Sequence, residues 1–486
     1  MVMNAIPFSM LADKSFNAMV HAIRPSAKFP EKKACVTTMR TVKKSMMEKV
    51  SRLIEREQVC ITSDGWTSCA NDTYMSLTLT LITSAWKLVT LSVDCSKSEG
   101  TTTGDALAAG TKAAVAKHGL TGKVTAVTTD CEPSMVKMGR LLEGDATVST
   151  HIGCCNHRLE STTSIVFNSP GVKKVMALAR GLVTRYTTSS QAADRLKQFV
   201  KTSLGVDNKR VIQDVVTRWS STCSMAARLI ELEVPIKMHE AADKLDPLLS
   251  AADWAVLKMI LPVLEPFRNT QTLLEGRKYV TGSLVVPFIY DLRNSLEDAI
   301  EDLAELPPDS DANGVKIAAE TRNAENSQRA WSQQGPEAAA GPASSPTSAG
   351  AEQSSRKRPR RGGGGFMAAA QAVGGARTPQ LGEGADSSTT SLITNSVRVE
   401  LTAFEVSTGI KMYEEDKEGT KVYLDPLDWW RVRCANFPHL ANLARRVLAI
   451  PATQAESERL FSCAGNIVTK NRNNLAPTTV ELLVLL

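Results

Sequence analysis

VCITSDGW, residues 59–66, is where the chain changes period. Val59–Ser63 is a β-branched and apolar run that closes on Asp64, and Gly65-Trp66 reads as a turn. Upstream, residues 1–58 read as helical. Phe16, Met19, Val20 and Ile23 recur at helical spacing, as do Met46, Val50 and Leu53, with Pro25 and Pro30 as breaks between them. Downstream, Tyr74–Thr83 alternates hydroxyl-bearing side chains with Met and Leu, and Leu88–Val93 supplies a third strand. Short loops between the three predict an antiparallel meander. An Ala-rich helix over Thr101–His118 follows, with Thr102, Thr103 and Asp105 as caps. A fourth strand over Val124–Asp130 also ends in an Asp. After it come a helix at Ser134–Leu142, a short strand at Val148–Gly153 and a helix at Arg158–Phe167.

This order predicts an α/β fold: a mixed sheet with helices on its faces, in the succession used by ribonuclease-H-like folds. From Gly171 to about Leu303 the pattern is helical, punctuated by Pro235, Pro247, Pro262 and Pro266, which predicts an all-α unit. Residues 306–390 are rich in Ala, Gly, Ser and Pro and too poor in apolar surface to fold, so they read as a disordered linker. Within them Arg356–Arg361 is a basic cluster. It reads as a nuclear-import signal, a DNA-phosphate contact or a solvated charge run. Order returns near Leu392. Asp425–Trp430 opens a helix, Phe437–Ile450 forms another, and Pro451 stops it. In the closing stretch, Leu460, Phe461, Ala464, Ile467 and Val468 fall on one helical face, and Glu458 sits one turn before Phe461 at its edge. A carboxylate there is costly unless paired or holding a metal, and its ordinary reading is a partner of Arg459 or a helix N-terminal charge. The expected divisions are 1–58, a helical segment; 59–170, the first part of the sheet domain; 171–305, the helical unit; 306–390, the linker; and 391–486, the closing region.

The 486 residues are 43% hydrophobic and 22% charged, ordinary values for a globular chain, and the net charge is +6. That balance is compatible with nucleic acid without pointing to it. Ten cysteines occur with no CxxC pair, so neither a zinc-finger nor a thioredoxin-type motif is present. No secretory signal and no apolar run of membrane-spanning length is visible, and a reducing compartment is the default. The sequon at Asn71 is then read as chance.

Two carboxylates, Asp64 and Asp130, end strands expected to lie side by side. Their ends place both within reach of hard cations, as in two-metal phosphoryl transfer, although strand-end Asp residues are also common turn formers. HIGCCNH, residues 151–157, crowds two His and two Cys into seven positions. That leaves little room for a closed tetrahedral zinc site, so no zinc is expected, and Cys154 and His157 read as structural or as phosphate or substrate contacts. Arg218-Trp219 at the head of a helix reads either as a stacking platform for a base or as core packing.

Five motifs in order resemble the hAT (hobo–Activator-type) superfamily of DNA transposases and transposase-derived proteins. They are ITSDGWTS at 61–68, VTTD at 127–130, CCNHRLE at 154–160, DVVTRWSST at 214–222, and the long run from DPLDWW at 425 to NLAP at 477. The resemblance covers roughly 5–303 and 392–486. It implies a ribonuclease-H-like sheet interrupted by an all-α insertion domain and closed by a C-terminal helical dimerisation region. It implies Asp64, Asp130 and Glu458 as a catalytic triad holding Mg²⁺ or Mn²⁺ for DNA strand cleavage and transfer. It matches Cys154 and His157 to the family's CxxH near the site, and Trp219, beside Arg218, to a Trp that assists DNA-hairpin handling. A homodimer or higher oligomer, a DNA partner, no membrane and a nuclear location go with it. Two departures stand out. Cys131 follows Asp130 where the family has Asn, and no BED-type zinc finger precedes the core. The chain also stops at Leu486, near where the family's last helix continues. The alternative expectation is a truncated or domesticated, catalytically inactive copy that dimerises on nucleic acid.

Overall fold

Strand β1 (Val59–Thr67) lies between an antiparallel neighbour, β2 (Thr73–Ile82), and a parallel one, β4 (Val124–Thr129). With β3 (Leu88–Lys97) and β5 (Thr150–Gly153) outermost, the sheet order is β3-β2-β1-β4-β5. A computed structural model supplies this architecture and describes residues 10–11, 13–26, 30–98, 100–216, 218–304, 387–407, 413–415, 421–470 and 474–486. The expected linker lies outside the described residues up to 386, as does the basic cluster at 356–361.

The two faces of the sheet differ in chemistry. On β1 and β4, Val59, Ile61 and Val127 face the core side, where Leu107 of α3 (Gly104–Lys117) and Met138 and Leu142 of α4 (Pro133–Gly144) pack against them. Leu77, Leu79 and Leu81 of β2 join this side. The opposite face carries Thr62, Ser76, Thr78, Thr80 and Thr128, all buried. The alternation read from Tyr74–Thr83 is therefore real, but its hydroxyl side meets other chain segments rather than water. Thr103 caps α3 by accepting from the Ala106 N–H at 3.4 Å.

Preceding the sheet are α1 (Lys14–Ile23) and α2 (Lys32–Leu53). Following the gap, the described chain resumes in α12 (Ser387–Val406), earlier than the order expected near Leu392. A small hairpin, β6 (Tyr413–Glu415) and β7 (Lys421–Tyr423), comes next, unmarked by any alternation long enough to read. Then come α13 (Pro426–Arg433), α14 (Pro438–Leu448), α15 (Ala455–Ile467) and α16 (Pro477–Val484). Asp425 caps α13 by accepting from the Leu427 N–H at 2.9 Å. Trp430 stacks on Trp86 at 5.6 Å between centroids, tying this region to the β2–β3 hairpin. Trp86 has φ +56°, an uncommon left-handed conformation for so bulky a residue.

The chain divides into two units. One contains Met1–Cys155, Glu275–Leu284 and Gly365–Leu486; the other contains Asn156–Leu274 and Val285–Gly364. The second is helical where described. After α5 (Cys155–Phe167) it comprises α6 (Pro170–Thr188), α7 (Ser190–Leu204), α8 (Trp219–Glu231), α9 (Glu233–Ala242), α10 (Ala251–Leu274) and α11 (Val285–Ala304). Of the prolines that punctuate this pattern, Pro262 and Pro266 lie inside α10. Each removes one backbone donor, and the buried Val263, Leu264 and Phe267 hold the helix to its core regardless.

Candidate active site

Parallel pairing sets the level of the two aspartates. Cys60 pairs with Ala126 and Thr62 with Thr128, so Asp64 and Asp130, each two residues further, project from one face at one height. Asp64 does not end its strand, as expected from Asp64-Gly65-Trp66. β1 continues to Thr67 against β2, with Asp64 opposite Ser76 and Trp66 opposite Tyr74. What ends at Thr62 is the pairing with β4, which frees the edge beside Asp64. The turn signal of Asp-Gly is overridden by the cross-strand partners of Gly65 and Trp66. Trp66 also stacks on Phe461, 5.9 Å between centroids. Asp130 follows β4 directly and accepts the Glu132 N–H at 2.9 Å.

The C-terminal segment crosses this hydroxyl face in three steps. The Cys60 thiol approaches the Arg446 carbonyl at 3.6 Å, the Thr128 hydroxyl donates to the Pro451 carbonyl at 3.0 Å, and the Thr62 and Ser457 hydroxyls meet at 3.2 Å. Glu458 is the next residue. Thus the chain returns to β1 and β4 one pleat below the aspartates, and Glu458 follows near enough to Asp64 to act on its charge. The apolar stripe Leu460, Phe461, Ala464, Ile467 and Val468 is buried as expected. Glu458 itself is exposed, so it is not a buried-edge carboxylate. Arg459 pairs with Glu456 and donates to the Glu275 carbonyl at 2.6 Å.

Burial first, then like charge from Asp130 and Glu458, pushes the Asp64 carboxyl up from its ordinary 3.8 to about 7, against the lowering hydrogen bond from the Gly65 N–H at 2.8 Å. Three carboxylates from distant parts of the chain are therefore within electrostatic reach. Their hard oxygens are the donor type that Mg²⁺ or Mn²⁺ takes. Among the described residues no three His, Cys, Asp or Glu side chains converge closely enough to cage an ion. The donor type suits a divalent cation, while the three carboxylates do not converge in this structure.

The remaining candidates separate. Cys154 is fully buried; its N–H donates to the Thr129 carbonyl at 2.7 Å, and the neighbouring Cys155 N–H donates to the Ala452 carbonyl at 3.0 Å. This strand-to-helix corner is a structural joint between β4 and the returning segment. His157 is half-buried on the first turn of α5, and His151 meets the Thr129 hydroxyl at 2.8 Å. Arg218 and Trp219 belong to the helical unit. Arg218 is exposed, and Trp219, 7% exposed, is packed in the helical core. Stacking on a base needs an open ring face, which this conformation does not offer. In the same motif Asp214 is the fixed point, accepting from Arg180 Nε at 2.8 Å and from the Thr222 hydroxyl at 3.0 Å. Thr62, Thr128 and Ser457 carry no mark in the sequence beyond an alternation of hydroxyls, because their partners lie hundreds of residues away.

The sequence matches the ZBED1 RNase-like domain over residues 62–154, the ZBED1 RNase-like helical domain over 152–263 and the hAT family C-terminal dimerisation region over 411–486. A Zea mays relative named as an AC transposase is 22% identical across 99% of this chain and 63% of its own length. Zinc finger BED domain-containing protein 4 of Homo sapiens is 23% identical across 61% of this chain and 26% of its own. A second Zea mays protein, named as an AC9 transposase, is 45% identical over 60 residues, 12% of this chain and 7% of its own length. The chain thus spans less than two thirds of these relatives. No helix among the described residues is long and apolar enough to cross a membrane.

Proposed function

We propose, from the premise that this chain belongs to the hAT group of DNA transposases and transposase-derived proteins, that it is a self-associating nuclear DNA-binding protein whose carboxylates support metal-dependent strand cleavage and transfer. In this reading the helical unit is an insertion into a ribonuclease-H-like fold, and residues 411–486 join two copies. The observation that carries the chemistry is the clustering of charge on Asp64 from Asp130 and Glu458.

Asp64, Asp130 and Glu458 would hold the divalent cation, which when bound activates the attacking water or 3′-hydroxyl and stabilises the leaving oxygen. The chain's own part begins with Asp64. Its carboxyl must lose a proton to ligate, so the site prepares itself as pH rises through about 7. The Gly65 N–H holds one Asp64 oxygen and the Glu132 N–H holds one Asp130 oxygen, which fixes the orientation of both carboxylates.

Helix α2 supports the DNA partner. It carries seven Lys or Arg against one Glu, a surplus equal to the +6 of the whole chain. Lys33, Arg40 and Lys44 fall on one exposed stripe with Thr37, and none has an ion-pair partner among the described residues. Met39 and Val36 on its inner side pack in the cluster that also holds Leu460 and Phe461 of α15. Such a stripe suits the phosphates of a duplex, beside the helix that bears Glu458.

The direct test is nicking of duplex DNA by the full chain with Mg²⁺ or Mn²⁺. The expected result is cleavage that Asp64→Asn, Asp130→Asn and Glu458→Gln each abolish without loss of fold. Cleavage that survives all three substitutions would sink the assignment.

A further inference from the structure

Thr62 and Ser457 are 1% and 0% exposed, and their hydroxyls meet at 3.2 Å. Each stands beside a carboxylate: Thr62 is two residues before Asp64 on the same face of β1, and Ser457 is one residue before Glu458. The apolar stripe of α15 decides which side of the helix faces down. Such packing is non-directional and leaves the helix free to slide or turn by a step, 1.5 Å and 100° per residue. A hydrogen bond between two buried hydroxyls is directional, and it sets one height for α15 along β1. Thr128 repeats the device. It stands two residues before Asp130 and grips the Pro451 carbonyl just ahead of α15. Each strand aspartate therefore has a threonine one pleat below it that holds the returning chain.

We infer that Thr62 and Ser457 are positioning residues that set Glu458 against Asp64 and Asp130 for binding a divalent cation. This rests on the carboxylate reading above. A purely structural role, in which the two hydroxyls only satisfy each other in the interior, makes different predictions. Replacing both by apolar groups, Thr62→Val with Ser457→Ala, leaves neither hydroxyl orphaned, so stability is nearly kept.

The experiment measures Mn²⁺ binding to the full chain by the loss of the free-ion electron paramagnetic resonance signal, with thermal unfolding alongside and nicking kinetics as a second readout. In the double variant we expect a Tm within about 3 °C of wild type and Mn²⁺ affinity lower by roughly tenfold or more. In nicking, kcat falls while the KM for DNA stays. Thr62→Ser keeps the hydroxyl and retains wild-type binding. Should the double variant lose its fold, Ser457→Ala read against Thr62→Ser carries the same comparison. Wild-type Mn²⁺ affinity in the folded double variant overturns the positioning role and leaves the carboxylate reading standing. Equal weakening by Thr62→Ser also overturns it, since packing rather than the hydroxyl is then responsible. Equal Mn²⁺ binding by wild type and Asp64→Asn removes the carboxylate reading, and the positioning role falls with it.

Discussion

Asp64 carries a conflict between stability and chemistry. Its folded pKa of about 7 stands above the ordinary 3.8, so the folded chain holds the proton more tightly than the unfolded one. The stabilisation from that proton is full below pH 3.8 and is lost as pH rises through about 7. Asp64→Asn removes the penalty of the ionised form. It is expected to stabilise the chain at pH 8 by roughly 1–4 kcal/mol, with little change at pH 4, in urea titrations without metal. Equal stability of variant and wild type at both pH values would show that the carboxylate is not crowded. Trp219 makes an opposite case. Its burial predicts that Trp219→Ala costs about 3–5 kcal/mol in denaturant unfolding, whatever DNA is present. Both residues were legible as candidates, but only their surroundings separate them. One is buried within electrostatic reach of two other carboxylates, the other in an apolar core.

Individual helices are held by groups far from them. Helix α14 begins at Pro438 with no cap from its own N-cap residue, Phe437. Its first N–H groups are taken by Glu400 of α12, which accepts from His439 at 3.0 Å and Leu440 at 3.1 Å. Glu400→Ala leaves those donors orphaned and is expected to cost about 1–3 kcal/mol, with Glu400→Gln closer to wild type in the same unfolding assay. Helix α2 is tested by salt. Lys33, Arg40 and Lys44 changed together to Gln should lower the slope of log affinity against log salt by about 2–3 for duplex DNA. An unchanged slope would leave the stripe as a solvated face. Strands and long amphipathic helices were readable because their period is local. The caps were not, because Glu400 and His439 share no sequence neighbourhood, and the β6–β7 hairpin is too short for its alternation to register.

At the scale of the molecule, the match to a dimerisation region predicts that the full chain sediments as a dimer at micromolar concentration. A monomer at every concentration up to that range would count against it. The strand order was legible from the succession of elements, and it brought Asp64 and Asp130 together correctly. The height of Glu458 was not legible, since it depends on the meeting of Thr62 with a residue 395 positions further on. That separation has a consequence in time. At about 5–20 residues per second of synthesis, roughly 20–80 s pass between the emergence of β1 and that of its partner helix. During that interval the hydroxyl face of the sheet has nothing to cover it, and the third carboxylate does not yet exist. A chain that stops before residue 458 carries the two aspartates without the third carboxylate of the proposed centre.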